Sequence, residues 1–143
     1  MKAIFLDIDG VLNVENWMLK NKPWIDEHKL FLIGILCKIT GSSVILSTNW
    51  REIWDEELYT SNPNNGICKA HKLFDKYNIK VIGKIPVFGK REDEIFQYIN
   101  ENKIEKYKII DVMNLNVKNF LYINCEKGFT FLDFIKSFII LHT

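Results

Sequence analysis

Cysteine is scarce and scattered: Cys37, Cys68 and Cys125 are the only three in 143 residues, and no CxxC pair occurs among them. That argues against a disulfide framework and against a cysteine-held zinc, and makes a reducing, cytoplasmic compartment the expectation. Histidine is as sparse. His28, His71 and His142 show no HxxxH or HxH spacing, so imidazole-held zinc is not expected either. No excess of one charge exists, since 19 Lys and Arg stand against 18 Asp and Glu for a formal net charge of +1. No global field therefore draws the protein to nucleic acid or to an anionic membrane, and such a partner would need a local patch. A membrane-length apolar run is also missing. The stretch Phe129 to Leu141 carries Asp133 and Lys136 and falls short of the roughly 20 residues a spanning helix needs, so it reads as a docked helix. The N-terminus enters an apolar strand without the charged region, apolar segment and cleavage site of a secretory signal. No repeat or low-complexity tract interrupts the chain.

What is present suits one domain over residues 1–143. The chain is 48% hydrophobic and 26% charged, enough to bury a core. Apolar runs rich in β-branched residues alternate with helical periodicity, the pattern of βα units around a parallel sheet. Strands are expected up to Leu6, at Val44–Leu46, near Lys80–Ile85, at Tyr107–Ile110 and at Phe120–Ile123. Asp26 is placed to cap a helix to about Thr40, with Leu30, Ile33, Leu36 and Cys37 on one face and Gly41 as its stop. Further helices are expected from Trp50 to about Leu58, from Cys68 to Tyr77, from Arg91 to about Asn102 with Ile95, Phe96 and Ile99 inward, and from Phe131 to Ile140. The segment Ser61 to Gly66 is the clearest loop. The fold class is therefore α/β, a three-layer α/β/α Rossmann-like sandwich on about five mainly parallel strands. No insertion is long enough for a separate cap domain.

The most telling stretch is Ile4-Phe5-Leu6-Asp7-Ile8-Asp9-Gly10-Val11-Leu12-Asn13. Its apolar start reads as a strand buried on both faces, and ligands collect at the carboxyl ends of such strands. Alternation along an extended chain would turn Asp7 and Asp9 the same way, and Gly10 would let the backbone leave sharply. Two carboxylates facing one way repel unless a cation or a shared proton relieves them. A magnesium site with a carboxylate nucleophile is the simplest answer; an acidic turn or a calcium loop is the plainer one.

DIDGVLN resembles DxDG[VT]L, the first signature motif of the haloacid dehalogenase (HAD) superfamily of phosphohydrolases. The resemblance implies that Asp7 attacks phosphorus to form an aspartyl-phosphate, that Asp9 acts as general acid and then base, and that Mg²⁺ is the cofactor. It also orders the rest of the chain. The strand Val44-Ile45-Leu46 delivers Ser47 at its carboxyl end, matching the superfamily's second motif, a phosphate-binding hydroxyl; helix capping is the alternative use of Ser47-Thr48-Asn49. STNWR is similar to the SxxWR pattern of a small capless branch also found in Swiss army knife RNA repair proteins, and the likeness extends over nearly the whole chain. In that reading Trp50 and Arg51 shape the pocket; otherwise Trp50 packs under a helix and Arg51 is solvated. The superfamily places a Lys or Arg ahead of the fourth-motif strand, because phosphate and nucleophile are both anionic. Lys90 and Arg91 both qualify, with the superfamily's usual preference favouring Lys90. The fourth motif normally ends in two acidic residues, whereas here Asp111 is followed by Val112. The implied metal set is Asp7, the Asp9 main-chain carbonyl and Asp111, with Asn114 or Asn116 as orienters of a bound water.

The expected partner is thus a phosphorylated substrate, a phosphomonoester. A capless, open site favours a bulky one such as a nucleic-acid end or a protein, unless oligomerisation covers the pocket. Trp17, Trp24, Trp50 and Trp54 offer stacking surfaces and Lys69, Lys72 and Lys76 recur at helical spacing, features of a polynucleotide site but equally of a core and a solvated face. Val112 supports a competing reading, a phosphate-binding or interaction module with weakened turnover. A phosphotransferase using the same first step is a third.

Overall fold

The computed structural model describes residues 1–14, 25–56, 61–63 and 65–142. In chain order these form β1 (Lys2–Leu6), α1 (Glu27–Thr40), β2 (Ser42–Leu46), a 3-10 helix (Asn49–Glu52), α2 (Gly66–Lys76), β3 (Val81–Lys84), α3 (Arg91–Asn102), β4 (Lys106–Asp111), β5 (Phe120–Tyr122) and α4 (Phe131–Leu141). The five strands make one sheet in the order β3-β2-β1-β4-β5, every pair parallel. The expected α/β sandwich is what folds. Trp17 and Trp24 lie outside the described residues.

Helix boundaries follow local chemistry. Asp26 accepts the His28 amide at 3.0 Å and opens α1; Gly41, at φ 69°, closes it in the left-handed region that costs glycine least. Asn65 caps α2 through the Ile67 amide at 2.8 Å. Thr130 and Asp133 make a reciprocal capping box at the start of α4. Lys90 precedes α3 without any side-chain cap.

Alternation along the strands sorts the core into two layers. Ile4, Leu6, Val44, Leu46 and Ile110 face one way, against Leu30, Ile33 and Leu36 of α1, Ile67 and Phe74 of α2, and Leu141 of α4. Ala3, Phe5, Ile45 and Ile109 face the other, against Ile95 of α3, Ile104 and Leu115. Among the described residues the second layer is thinner, with a single helix over it, which explains one departure from expectation. Phe96 is 41% exposed instead of inward, because Ile95 and the half-buried Ile99 already fill the α3 contact.

A second departure matters more. The helix expected from Trp50 is only the short 3-10 helix, followed by turns; residues 57–60 lie outside the description. Thr48 caps it, the Arg51 and Ile53 amides bond three residues back, and Arg51 Nη1 returns to the carbonyls of Ser47 at 3.3 Å and Thr48 at 2.9 Å. These bonds tighten the chain into a knot at the end of β2.

Candidate active site

Register alone brings three side chains together. Leu6 pairs with Leu46 on one side and with Ile110 on the other. One residue further, the Asp7 amide still donates to Ile110 O at 3.1 Å and the Ser47 amide to Leu6 O at 3.0 Å, so Asp7 stands between Ser47 and Asp111 at the carboxyl edge. All three continue the parity of Phe5, Ile45 and Ile109 and turn toward the α3 layer.

From that layer comes the cation. Arg91, first residue of α3, donates from Nη1 to Asp111 Oδ2 at 2.9 Å and from Nη2 to Asn49 Oδ1 at 3.2 Å. The other Asp111 oxygen accepts the Met113 amide at 2.9 Å, and Asp111 is fully buried. Of the two basic candidates, Arg91 is therefore the one placed in the site; Lys90, preferred from the superfamily pattern, is exposed. Adjacent residues at a helix start diverge, and α3 begins with Arg91 turned to the sheet edge.

The electrostatics of Asp7 are unbalanced. Burial, reinforced by the neighbouring Asp111 carboxylate, pushes its carboxyl up from 3.8 to about 7, while Arg91 and the Ile8 amide pull the other way. One guanidinium thus leaves the pair of carboxylates short of positive charge. The donors are hard oxygens, the Asp7 and Asp111 carboxylates, a set that suits Mg²⁺, which keeps several waters and needs few protein ligands. Among the described residues no group of three or more His, Cys, Asp or Glu side chains converges as a full metal cage. Ser47 supplies a second sign of a ligand site: its hydroxyl is buried with no hydrogen-bond partner among the described residues. An orphaned buried hydroxyl costs roughly 1–3 kcal/mol, a cost relieved when a phosphate oxygen accepts from it.

Asp9 is arranged differently from the sequence expectation. The strand ends at Leu6, and from Ile8 the chain makes a turn in which the Val11 and Leu12 amides bond Ile8 O at 3.1 and 2.9 Å, so strand alternation does not govern Asp9. Gly10 takes φ 83°, and a Cβ there would meet Val112 Cγ1 at 2.8 Å. Asp9 is exposed, with Trp50 Nε1 donating to Oδ2 at 3.0 Å and Asn13 Nδ2 to Oδ1 at 3.3 Å. Asn114 and Asn116 are exposed.

Arg51 is not solvated. It is buried, and its Nη2 pairs with Glu94 Oε1 at 2.9 Å, while Glu94 Oε2 accepts the Phe88 and Gly89 amides at 2.7 and 3.3 Å. With the Arg51 bonds to Ser47 O and Thr48 O, this pair ties the loop after β2 to the loop before α3. Burial lowers the Arg51 guanidinium from its ordinary range and Glu94 raises it. Asn49 and Glu94 were missed from sequence because their partners lie 42 and 43 residues away, with no local pattern to announce them.

Residues 3–131 match the family model described as HAD domain in Swiss Army Knife RNA repair proteins. No curated protein and no solved structure matches the chain.

Proposed function

The chain belongs to the family of HAD domains found in Swiss Army Knife RNA repair proteins, and from that premise we propose that it is a Mg²⁺-dependent phosphohydrolase acting on phosphomonoesters, its substrate a phosphorylated nucleic-acid end. HAD domains are usually hydrolases or phosphatases, and the metal, the substrate and the residue roles are proposed on that footing. The observation that carries it is Asp7 held between Asp111 and the unpartnered Ser47 hydroxyl, with Arg91 alongside. Family membership supports an RNA terminus, and the near-neutral charge means that contact would be local to the site. The unpaired thiols, two of them buried, support a reducing, cytoplasmic setting; no described helix is long and apolar enough to cross a membrane.

In this mechanism an Asp7 oxygen attacks phosphorus while the leaving oxygen departs with a proton from Asp9. A water then attacks the aspartyl-phosphate, gives its proton to Asp9 and releases phosphate. Ser47 donates to a phosphoryl oxygen, and Arg91 neutralises charge between the phosphoryl group and the carboxylates, the dominant form of assistance in such transfers. Mg²⁺, held by the Asp7 and Asp111 carboxylates and the Asp9 carbonyl, would supply charge neutralisation at the nucleophile and phosphate.

One observation favours a second reading, a phosphate-binding module with weakened turnover: both Asp111 oxygens are already engaged, and Val112 stands where a second acid is usual. The deciding experiment compares the full chain with Asp7→Asn on an aryl phosphate and on a phosphorylated oligonucleotide, with and without Mg²⁺. Phosphate release that needs Mg²⁺ and falls by more than about 10³-fold in Asp7→Asn supports the enzyme. Phosphate binding without release on any substrate or metal supports the module and overturns it.

A further inference from the structure

Three successive side chains of the 3-10 helix reach three different parts of the site. Asn49 accepts from Arg91, Trp50 donates to Asp9, and Arg51 pairs with Glu94. Such a helix turns about 120° per residue, so neighbours radiate rather than share a face. Trp50 carries the consequence for chemistry. Its ring is 9% exposed and packed in the main core, which makes the indole a fixed post. Its single donor is spent on the exposed carboxylate of a residue 41 positions away.

Asp9 needs such a post. It lies in a turn beyond the end of β1, where no sheet neighbour limits its side-chain rotation. Asn13 holds the other oxygen and is itself held by the Gly10 amide at 2.8 Å, so the two donors clamp the carboxyl group from opposite sides. We infer that Trp50 is the positioning residue of Asp9, fixing the orientation from which the carboxyl proton reaches the leaving oxygen and to which a water proton returns. This rests on the phosphohydrolase reading above.

The proton balance dictates the test. As the Asp7 oxygen bonds to phosphorus, the bond from phosphorus to the leaving oxygen breaks with its electron pair; an alkoxide of high pKa must be protonated by Asp9, whereas nitrophenolate leaves without it. The ratio of kcat/KM for glycerol 2-phosphate to that for p-nitrophenyl phosphate therefore reads the positioning directly, and kcat/KM excludes the later, substrate-independent hydrolysis of the aspartyl-phosphate. Trp50→Phe keeps a ring in the core and removes the N–H. We expect the alkyl substrate to lose about 10²-fold and the aryl substrate no more than about 10-fold, within the usual range for a general acid. Equal losses on both substrates would make Trp50 a packing residue and overturn the inference. A parent inactive on both and on a phosphorylated oligonucleotide overturns the phosphohydrolase reading itself, and the catalytic role of Trp50 with it. A readout without turnover guards against misfolding of the variant: in a ¹H–¹⁵N spectrum of the protein, the Trp50 indole resonance should shift and exchange faster with solvent in Asp9→Ala. An indole resonance indifferent to Asp9→Ala refutes the contact.

Discussion

Two arginine–carboxylate pairs flank the carboxyl edge of the sheet at the same 2.9 Å, Arg51–Glu94 and Arg91–Asp111, and they are built for different purposes. Around Arg51–Glu94 the further partners are backbone, two carbonyls on the arginine and two amides on the glutamate, with Arg51 Nε buried without a partner among the described residues. Around Arg91–Asp111 the neighbour is Asp7, whose carboxyl is pushed up to about 7 and which stands between Asp111 and the end of β2 that carries Ser47. Distance and burial do not separate a strut from a working pair. What separates them is the charge alongside: Arg51–Glu94 is one cation to one anion, whereas Arg91 and Asp111 have the second carboxylate of Asp7 beside them.

The largest effect should come from breaking the strut. Removing one partner of a buried, hydrogen-bonded pair costs about 3–5 kcal/mol, so Glu94→Ala should lose that much stability in urea denaturation. Arg91→Ala should lose no more than about 1 kcal/mol, because Asp7 and Asp111 can share a proton once the guanidinium is gone. Activity should invert the order of these two positions: Arg91→Ala lowers kcat/KM by about 10²–10³-fold, while the exposed Lys90→Ala stays within about twofold of the parent. If Arg91→Ala proves as destabilising as Glu94→Ala, the two pairs are alike and the contrast fails.

The next effect tests that second carboxylate directly. Asp7 has a folded pKa above its unfolded value, so its contribution to stability is full below about pH 4 and is lost as pH rises toward about 7, where the folded carboxyl at last ionises. Without metal, Asp7→Asn should therefore be more stable than the parent at pH 7.5, by on the order of 2–4 kcal/mol, and the gap should shrink toward pH 4. Thermal unfolding across that range in chelator checks it. Mg²⁺ should raise the melting temperature of the parent and leave Asp7→Asn nearly unmoved. A parent more stable than the variant at pH 7.5 in chelator would mean that Arg91 alone balances the site.

The sequence disclosed the strut and the working pair unequally. Strand ends were legible, because runs such as Ile4-Phe5-Leu6 and Lys108-Ile109-Ile110 stop at polar residues, and the limits of α1 and α3 follow from Asp26, Gly41 and the periodicity after Lys90. The roles of Asp7, Asp9, Ser47 and Asp111 came from likeness to the HAD motifs, which physical reading alone left open between a metal site and an acidic turn. Three things were not legible. The choice between Lys90 and Arg91 depends on the rotational phase at which α3 meets the sheet. The partner of Arg51 lies 43 residues on, in a helix that sequence periodicity treats as independent. The short 3-10 helix depends on Arg51 folding back on Ser47 and Thr48, a bond that competes with the longer helix the spacing suggested.

The smallest expected effect concerns Val112, where the sequence departs furthest from the family pattern. Position 112 follows Asp111, so its side chain leaves the opposite side of the strand end, and Val112 Cγ1 lies against Gly10, 2.8 Å from where a Cβ would stand. An acid there looks toward the Gly10 turn rather than toward Asp7. Val112→Asp should therefore change Mg²⁺ affinity by less than about threefold, roughly 0.7 kcal/mol, whereas Asp111→Asn should weaken it at least about tenfold. Titration calorimetry with Mg²⁺ alone distinguishes them. A tenfold gain in Val112→Asp would show that valine truncates the metal set and would return weight to the weakened module; no gain would mean that the pair Asp7 and Asp111, with Arg91 beside them, is the whole charged complement the site requires.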